Sequence, residues 1–240
     1  MQLSNKTVLI TGANRGIGLA LVRAFLKRGV KKIYAGARNP SSLPDFGDPR
    51  VTPLKLDIND QNDIAAAAKQ AANVDLLVNN AGIVRPGSIA SGAVANIHEE
   101  MNTNFFGTLN MTQAFIPILE KQRGAIATVS SIVGFAPFTM IAGYSASKAA
   151  LNSAIQSSRW ELKSKNIEVI GIFPGPIDTD MNKGFEMEKA SPDAAAEEIL
   201  NGIAEGQEDI FPDNASKQLA GLWRQNPKEL ERVFTGGNSS

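Results

Sequence analysis

Tyr144 and Lys148 stand four residues apart in the segment Tyr144-Ser145-Ala146-Ser147-Lys148. On a helix that spacing puts the two side chains one above the other on one face, so both can act on a single ligand. A free phenol with a pKa near 10 is a poor base at neutral pH. A cation at about 4 Å in an effective dielectric near 20 contributes roughly 4 kcal/mol, or about three pKa units. Lys148 is therefore expected to bring Tyr144 within range of proton transfer with an alcohol or carbonyl oxygen. Before the tyrosine, an apolar run ends in Val129-Ser130-Ser131-Ile132-Val133-Gly134. A serine hydroxyl there can hydrogen-bond an oxygen as it gains or loses negative charge. By itself a Y-x-x-x-K pair is also what an exposed helix face offers, so the elements that place it matter.

A second cluster lies near the amino end, where an apolar β-branched run leads into Thr11-Gly12-Ala13-Asn14-Arg15-Gly16-Ile17-Gly18. These glycines fall where a strand turns into a helix. A tight turn needs backbone angles that glycine adopts cheaply, a pyrophosphate needs bare backbone N–H groups, and the helix must pack closely on the strand. Gly12, Gly16 and Gly18 meet those three needs, with Asn14, Arg15 and Ile17 between them. A plain strand–helix turn is the alternative reading. At the end of a second strand an acidic residue would bind the ribose 2′-hydroxyl of NAD. Here the segment Tyr34-Ala35-Gly36-Ala37-Arg38-Asn39 offers Arg38 instead. Arg38 and Arg15 together suit a 2′-phosphate, and one charge-assisted hydrogen bond is worth about 1.5–3 kcal/mol, a roughly ten- to hundredfold preference. NADP(H) is the expected cofactor; with Arg38 solvated, NAD(H) would serve.

The elements that must position these groups follow from the hydrophobic pattern. Apolar runs at residues 7–10, 32–37, 51–56, 75–78, 125–129, 168–173 and 209–211 read as strands, most of them continuous enough to be buried on both faces. Between them, helical periodicity covers 16–27, 60–72, an extended stretch at 96–120, 145–164 and 192–204. Gly29 and Gly124 suit helix stops, and Ser191-Pro192 suits an N-cap followed by proline at the first helical position. The alternation predicts a three-layer α/β/α architecture: a doubly wound Rossmann parallel sheet of about seven strands flanked by helices. One domain over residues 1–240 is expected, with a cofactor half to about residue 130 and a catalytic and substrate half over 131–235.

Composition narrows the function classes. The 24 basic and 24 acidic side chains cancel, so no net field draws the chain to nucleic acid or to an anionic membrane, and neither partner is expected. The absence of cysteine removes thiolate catalysis and thiolate zinc sites, and a single histidine, His98, makes no metal cluster, so no metal is expected. No basic leader precedes the first strand, and a cytoplasmic location is expected.

The T-G-x-x-x-G-I-G run resembles the cofactor fingerprint of the short-chain dehydrogenase/reductase family, and further segments follow in that family's order. The resemblance picks Ser131 over Ser130, because the family's serine stands thirteen residues before its tyrosine. It makes Ser131, Tyr144 and Lys148 the catalytic set, with Lys148 also holding the nicotinamide ribose. It adds Asn104, in Asn102-Thr103-Asn104-Phe105-Phe106-Gly107, as the asparagine that kinks a helix and supports the proton path; Asn102 is the competing choice. Asp57 and Ile58, after the third strand, match the adenine contact, with an Asx turn as the alternative for Asp57. Asn80, Ala81 and Gly82, in Asn79-Asn80-Ala81-Gly82, match the segment that steadies the central sheet beside the cofactor. Pro174, Gly175, Ile177 and Thr179, in Pro174-Gly175-Pro176-Ile177-Asp178-Thr179, match the run that holds the nicotinamide carboxamide. What the family implies is hydride transfer between a nicotinamide and a carbonyl or alcohol, usually in homodimers or homotetramers.

The expected substrate wall is apolar: Val133, Phe135, Phe138 and Ile141 before the tyrosine, Pro176 and Met181 after the sixth strand, and Phe185 with Met187 on a short lid for which Gly184 is a hinge. Arg85 and Lys183, the two cations considered for an anionic substrate, read as solvated. A hydrophobic ketone, aldehyde or secondary alcohol is the expected small-molecule partner. The segment 215–234, with Leu219, Leu222, Trp223, Leu230 and Phe234, is left open between core packing, a pocket cap and an interface.

Overall fold

The computed structural model describes residues 1–184 and 186–236. Seven parallel strands form one sheet: β1 (Thr7–Thr11), β2 (Lys32–Ala37), β3 (Val51–Lys55), β4 (Leu76–Asn79), β5 (Ala125–Val129), β6 (Glu168–Ile172) and β7 (Asp209–Ile210). Their order is β3-β2-β1-β4-β5-β6-β7. It reverses between β1 and β4, and the crevice at such a switch point is where open α/β sheets place a ligand. The expected Rossmann architecture is the observed one.

Successive strand residues alternate between two cores. Val8, Ile10 and Val78 meet Leu21 and Phe25 of α1 (Gly16–Lys27) and Ile199 and Ile203 of α6 (Pro192–Glu205) on one face. Leu9, Leu77 and Ile126 meet Ile64 of α2 (Gln61–Gln70), Phe115 of α4 (Thr108–Gln122) and Ile155 of α5 (Ala142–Lys163) on the other. Phe25 and Phe115 have no exposed surface, and burial of such a ring contributes about 2–3 kcal/mol. Two further helices, α7 (Asn214–Gln225) and α8 (Pro227–Thr235), follow the last strand. Among the described residues no helix is long and apolar enough to cross a membrane.

Three sequence expectations change. The extended helix at 96–120 is broken: α3 (Val94–Glu100) passes into a π-helical turn over Met101–Gly107 before α4 begins. Asn104 sits in that turn, where the Thr108 hydroxyl takes its carbonyl at 2.9 Å. The helix expected from 145 starts at Ala142, because the Ala142 N–H bonds the Gly87 carbonyl and pins the new turn. Tyr144 therefore lies in the first turn of α5. At the end of α4 the left-handed residue is Arg123 (φ 48), not Gly124. Gly124 is needed for closeness instead, since a Cβ there would lie 2.4 Å from the Asp75 carbonyl oxygen. Gly29 does take the left-handed conformation expected of it after α1.

Candidate active site

A cavity of about 530 Å³ opens along the carboxyl ends of the strands. The turn after β1 supplies Gly12, Asn14, Arg15, Gly16 and Ile17. Gly12 (φ +65) and Gly16 (φ +53) occupy the left-handed region that their turn requires. Gly18 stays outside the cavity lining: a Cβ on it would meet the Gly12 carbonyl oxygen at 2.2 Å and Asn80 Nδ2 at 2.5 Å. Its place is the close helix–strand packing, not a ligand contact, which corrects its inclusion among the contacting residues. The first turn of α1 has no side-chain cap and no acidic residue, so its unpaired N–H groups and positive helix end are available to an anion.

The end of β4 is tied to that turn. Asn80 Nδ2 donates to the carbonyls of Thr11 (2.8 Å) and Gly12 (3.1 Å), and the N–H groups of Asn80 and Ala81 both reach Thr11 Oγ1 at 2.9 Å. Ala81 and Gly82 follow on the cavity wall. Arg38 lies exposed at the other flank of the turn, and no carboxylate pairs with it among the described residues. Arg15 pairs with Asp180 at 3.8 Å, but both are mostly exposed, so the pair contributes little. Asp57 does form an Asx turn, accepting the Asn59 N–H at 2.9 Å, and with Ile58 it still lines the cavity.

Across the cavity, Ser131 follows β5 and caps a short 3-10 turn, accepting the Val133 N–H and donating to the Pro174 carbonyl, both at 3.3 Å. Ser130 faces elsewhere, bonded to the Lys148 carbonyl and to Asn152 Oδ1. Tyr144 and Lys148 project from α5 to the same wall. Burial pushes the Tyr144 phenol well above its ordinary value; the Ser131 hydroxyl, as hydrogen-bond partner, opposes the rise and the charge of Glu100 adds to it. Burial pulls Lys148 down to about 7. The expectation that Lys148 lowers the tyrosine is thus corrected for the protein's own residues. The ammonium bonds the Val129 carbonyl at 2.8 Å and lies 5.5 Å from the Tyr144 ring centroid, and desolvation of both groups outweighs their attraction.

Asn104 does not line the cavity. Fully buried, it accepts the Ile83 N–H at 2.8 Å and donates to the Ile83 carbonyl and to Ser147 Oγ at 2.9 Å each. It therefore joins the loop after β4 to the helix carrying Tyr144 and Lys148. Pro174, Gly175, Pro176, Ile177, Thr179 and Met181 line the cavity after β6, while Val133, Phe138 and Ile141 line it before Tyr144; Phe135, expected on the same wall, packs instead on Phe173 and Trp223 behind it. Phe185 lies outside the described residues. Arg85 is taken by Glu99 at 2.8 Å and, like exposed Lys183, does not line the cavity.

Sequence reasoning missed Ser42, Asn59 and Thr103 on this wall; of the three roles left open for the segment 215–234, Leu219 and Phe234 take that of lining the cavity. It also missed Glu100, buried with its carboxylate on the Arg85 N–H at 2.7 Å and raised by burial. Glu99 beside it stays exposed, because successive residues of α3 point to different sides of the helix.

The sequence profile described as short chain dehydrogenase matches residues 6–190. The chain belongs to the short-chain dehydrogenase family. As such it is an oxidoreductase, 30% identical over its whole length to 99% of DltE, an uncharacterised oxidoreductase of Bacillus subtilis. It is also 33% identical to the 3-oxoacyl-[acyl-carrier-protein] reductase FabG of Thermotoga maritima, over 86% of each chain. Among solved structures, a short chain dehydrogenase from Burkholderia cenocepacia in complex with NADP superposes with a TM-score of 0.93. It is 34% identical, with 98% of this short-chain dehydrogenase and 99% of that chain covered.

Proposed function

We propose that this chain reduces the carbonyl of a hydrophobic ketone or aldehyde with NADPH, and catalyses the reverse oxidation by microscopic reversibility. One observation carries the reading: Ser131, Tyr144 and Lys148 meet on one wall of a cavity that continues to the glycine turn and Arg38. The residues present fit a nicotinamide dinucleotide. The left-handed glycines expose the uncapped start of α1 to a pyrophosphate. Arg38, free of any carboxylate among the described residues, suits a 2′-phosphate, and the Burkholderia relative was solved with NADP. When bound, the nicotinamide supplies or accepts the hydride.

The protein's part is positioning and proton transfer. The Ser131 hydroxyl donates to the carbonyl oxygen as negative charge gathers there. The Tyr144 phenol, held protonated by burial, is the acid that delivers the proton to that oxygen. Lys148 stands beside the phenol to supply charge or a proton, and Asn104 supports the relay by fixing α5 through Ser147. Gly12, Asn14, Arg15, Gly16, Ile17, Asp57, Ile58, Asn80, Ala81, Gly82, Pro174, Gly175, Ile177 and Thr179 form the cofactor wall. The partner is a small-molecule carbonyl or alcohol, with no role for nucleic acid or membrane, in a cytoplasmic homodimer or homotetramer whose size sedimentation equilibrium measures.

Loss of NADPH absorbance over a panel of aromatic and aliphatic ketones tests the reading. Turnover in the native protein with a loss of about 10²-fold or more in Tyr144→Phe is expected, as for removal of a general acid. Equal turnover in the variant overturns the chemistry, and faster turnover with NADH overturns the cofactor assignment in favour of an NAD-dependent alcohol dehydrogenase.

A further inference from the structure

The cavity has an end that the catalytic and glycine-turn residues do not account for. It is walled by Phe138, Ile141, Met181, Met187, Leu219 and Phe234. Leu219 comes from α7 and Phe234 from α8, so the chain's last helices close the space in front of Tyr144.

Three contacts hold them there. Asp213, 5% exposed, accepts the Ser216 N–H with Oδ1 and the Gly175 N–H with Oδ2, both at 2.8 Å. One carboxylate therefore starts α7 and registers it against the loop after β6. Trp223 packs on Phe135 with ring centroids 4.6 Å apart, and Phe135 packs on Phe173 at 5.0 Å, which fastens α7 to the end of β6. Leu230, with no exposed surface, anchors α8. Phe234 then meets Phe138 edge to face at 6.3 Å. The Phe138 N–H is held by Ser145 Oγ at 3.1 Å, one residue from Tyr144. Phe234 thus bears on the catalytic wall through one ring and one hydrogen bond.

The geometry points to Phe234, paired with Phe138, as the residue that selects the substituent on the carbonyl carbon, and to a compact aryl group as what it selects. The inference rests on the carbonyl-reductase reading. Aromatic rings prefer edge-to-face or offset partners, so an aryl substituent has Phe138 and Phe234 to pack on. The acids and arginines of the cavity, Asp57, Asp180, Arg15 and Arg38, belong to the cofactor flank. The one other charged residue lining the cavity is Lys148, which stands with Tyr144.

The test compares acetophenone, 4-tert-butylacetophenone and 2-dodecanone as substrates for wild type, Phe234→Ala and Phe234→Leu, with NADPH affinity measured separately. Removing the ring should raise KM for acetophenone and shift the kcat/KM ratio of the bulky to the small aryl ketone by about tenfold, the scale of a pocket changed by a few methylenes. NADPH affinity should stay unchanged. A ratio moved less than about twofold in both variants overturns the inference, as does a wild-type preference for 2-dodecanone. If Phe234→Ala fails to fold, Phe234→Leu carries the same comparison. If wild type reduces no ketone, the carbonyl reading fails, and the wall is then tested by binding. Trp223 fluorescence, read in a Trp160→Phe background with NADP present, reports acetophenone binding. Weakening by about tenfold in the Phe234 variants supports the wall, and equal binding overturns it.

Discussion

Burial sets the resting protonation of the two side chains on which the proposed chemistry depends. Lys148 is drawn down to about 7 by desolvation, against about 10.4 in an unfolded chain. Between those values the unfolded state binds more protons, so this group makes stability rise with pH. The penalty for charging it is fully present below about 7 and gone above about 10.4. Lys148→Met should therefore abolish turnover yet raise Tm near pH 6, with the gap closing toward pH 10. Even a two-unit depression at about 1.4 kcal/mol each predicts a gap of roughly 5–10 °C, less the loss of the bond to Val129. A gap that is the same at both pH values would mean that Lys148 is not desolvated. For Arg38, exposed and without a carboxylate partner among the described residues, replacement by alanine touches no packing. Arg38→Ala should lower kcat/KM for NADPH by about ten- to hundredfold and leave NADH within about threefold, as the loss of one charge-assisted bond requires. An equal fall with both cofactors would place Arg38 away from the 2′-phosphate.

At the scale of elements, the π turn at Met101–Gly107 is what lets one asparagine serve two segments. A regular helix through 96–120 would carry Asn104 past Ile83; the widened turn holds it where its amide bonds Ile83 on both sides and Ser147 besides. Asn104→Ala removes three hydrogen bonds and leaves partly buried partners unsatisfied, a cost of about 2–4 kcal/mol. Calorimetry should show Tm lowered by about 5–12 °C in a chain of this size. A loss of activity with unchanged Tm would instead assign Asn104 a purely chemical part. The glycine turn is the opposite kind of element, decided by local geometry: its left-handed residues are glycines in any setting, and the sequence shows them directly.

Over the whole molecule, the reversal of strand order between β1 and β4 gathers loops from six strands around one crevice. A ligand that spans it ties both halves of the sheet together, so its binding energy is felt as global stability. NADP at about a hundred times its Kd should add about 2.7 kcal/mol and raise Tm by roughly 5–11 °C, and NAD at the same concentration should raise it less. No shift with millimolar NADP would contradict the cofactor assignment.

The strands, the helix face that joins Tyr144 to Lys148 and the glycine turn were legible in the sequence because each rests on a period or a backbone conformation that neighbouring residues determine. Strand ends came within a residue of the structure for the same reason. What required the tertiary structure depends on residues far apart in the chain. The break in the 96–120 helix follows from a partner at Ile83, and the need for Gly124 follows from Asp75 across the sheet. The burial that raises Tyr144 and lowers Lys148 depends on what the whole fold packs around them. The segment after residue 215 showed an apolar stripe that fitted a core, a cap or an interface equally. Only the folded chain, with Asp213 on Gly175 and Phe234 on Phe138, shows that it walls the pocket, because amphipathicity says which face is buried and never against what.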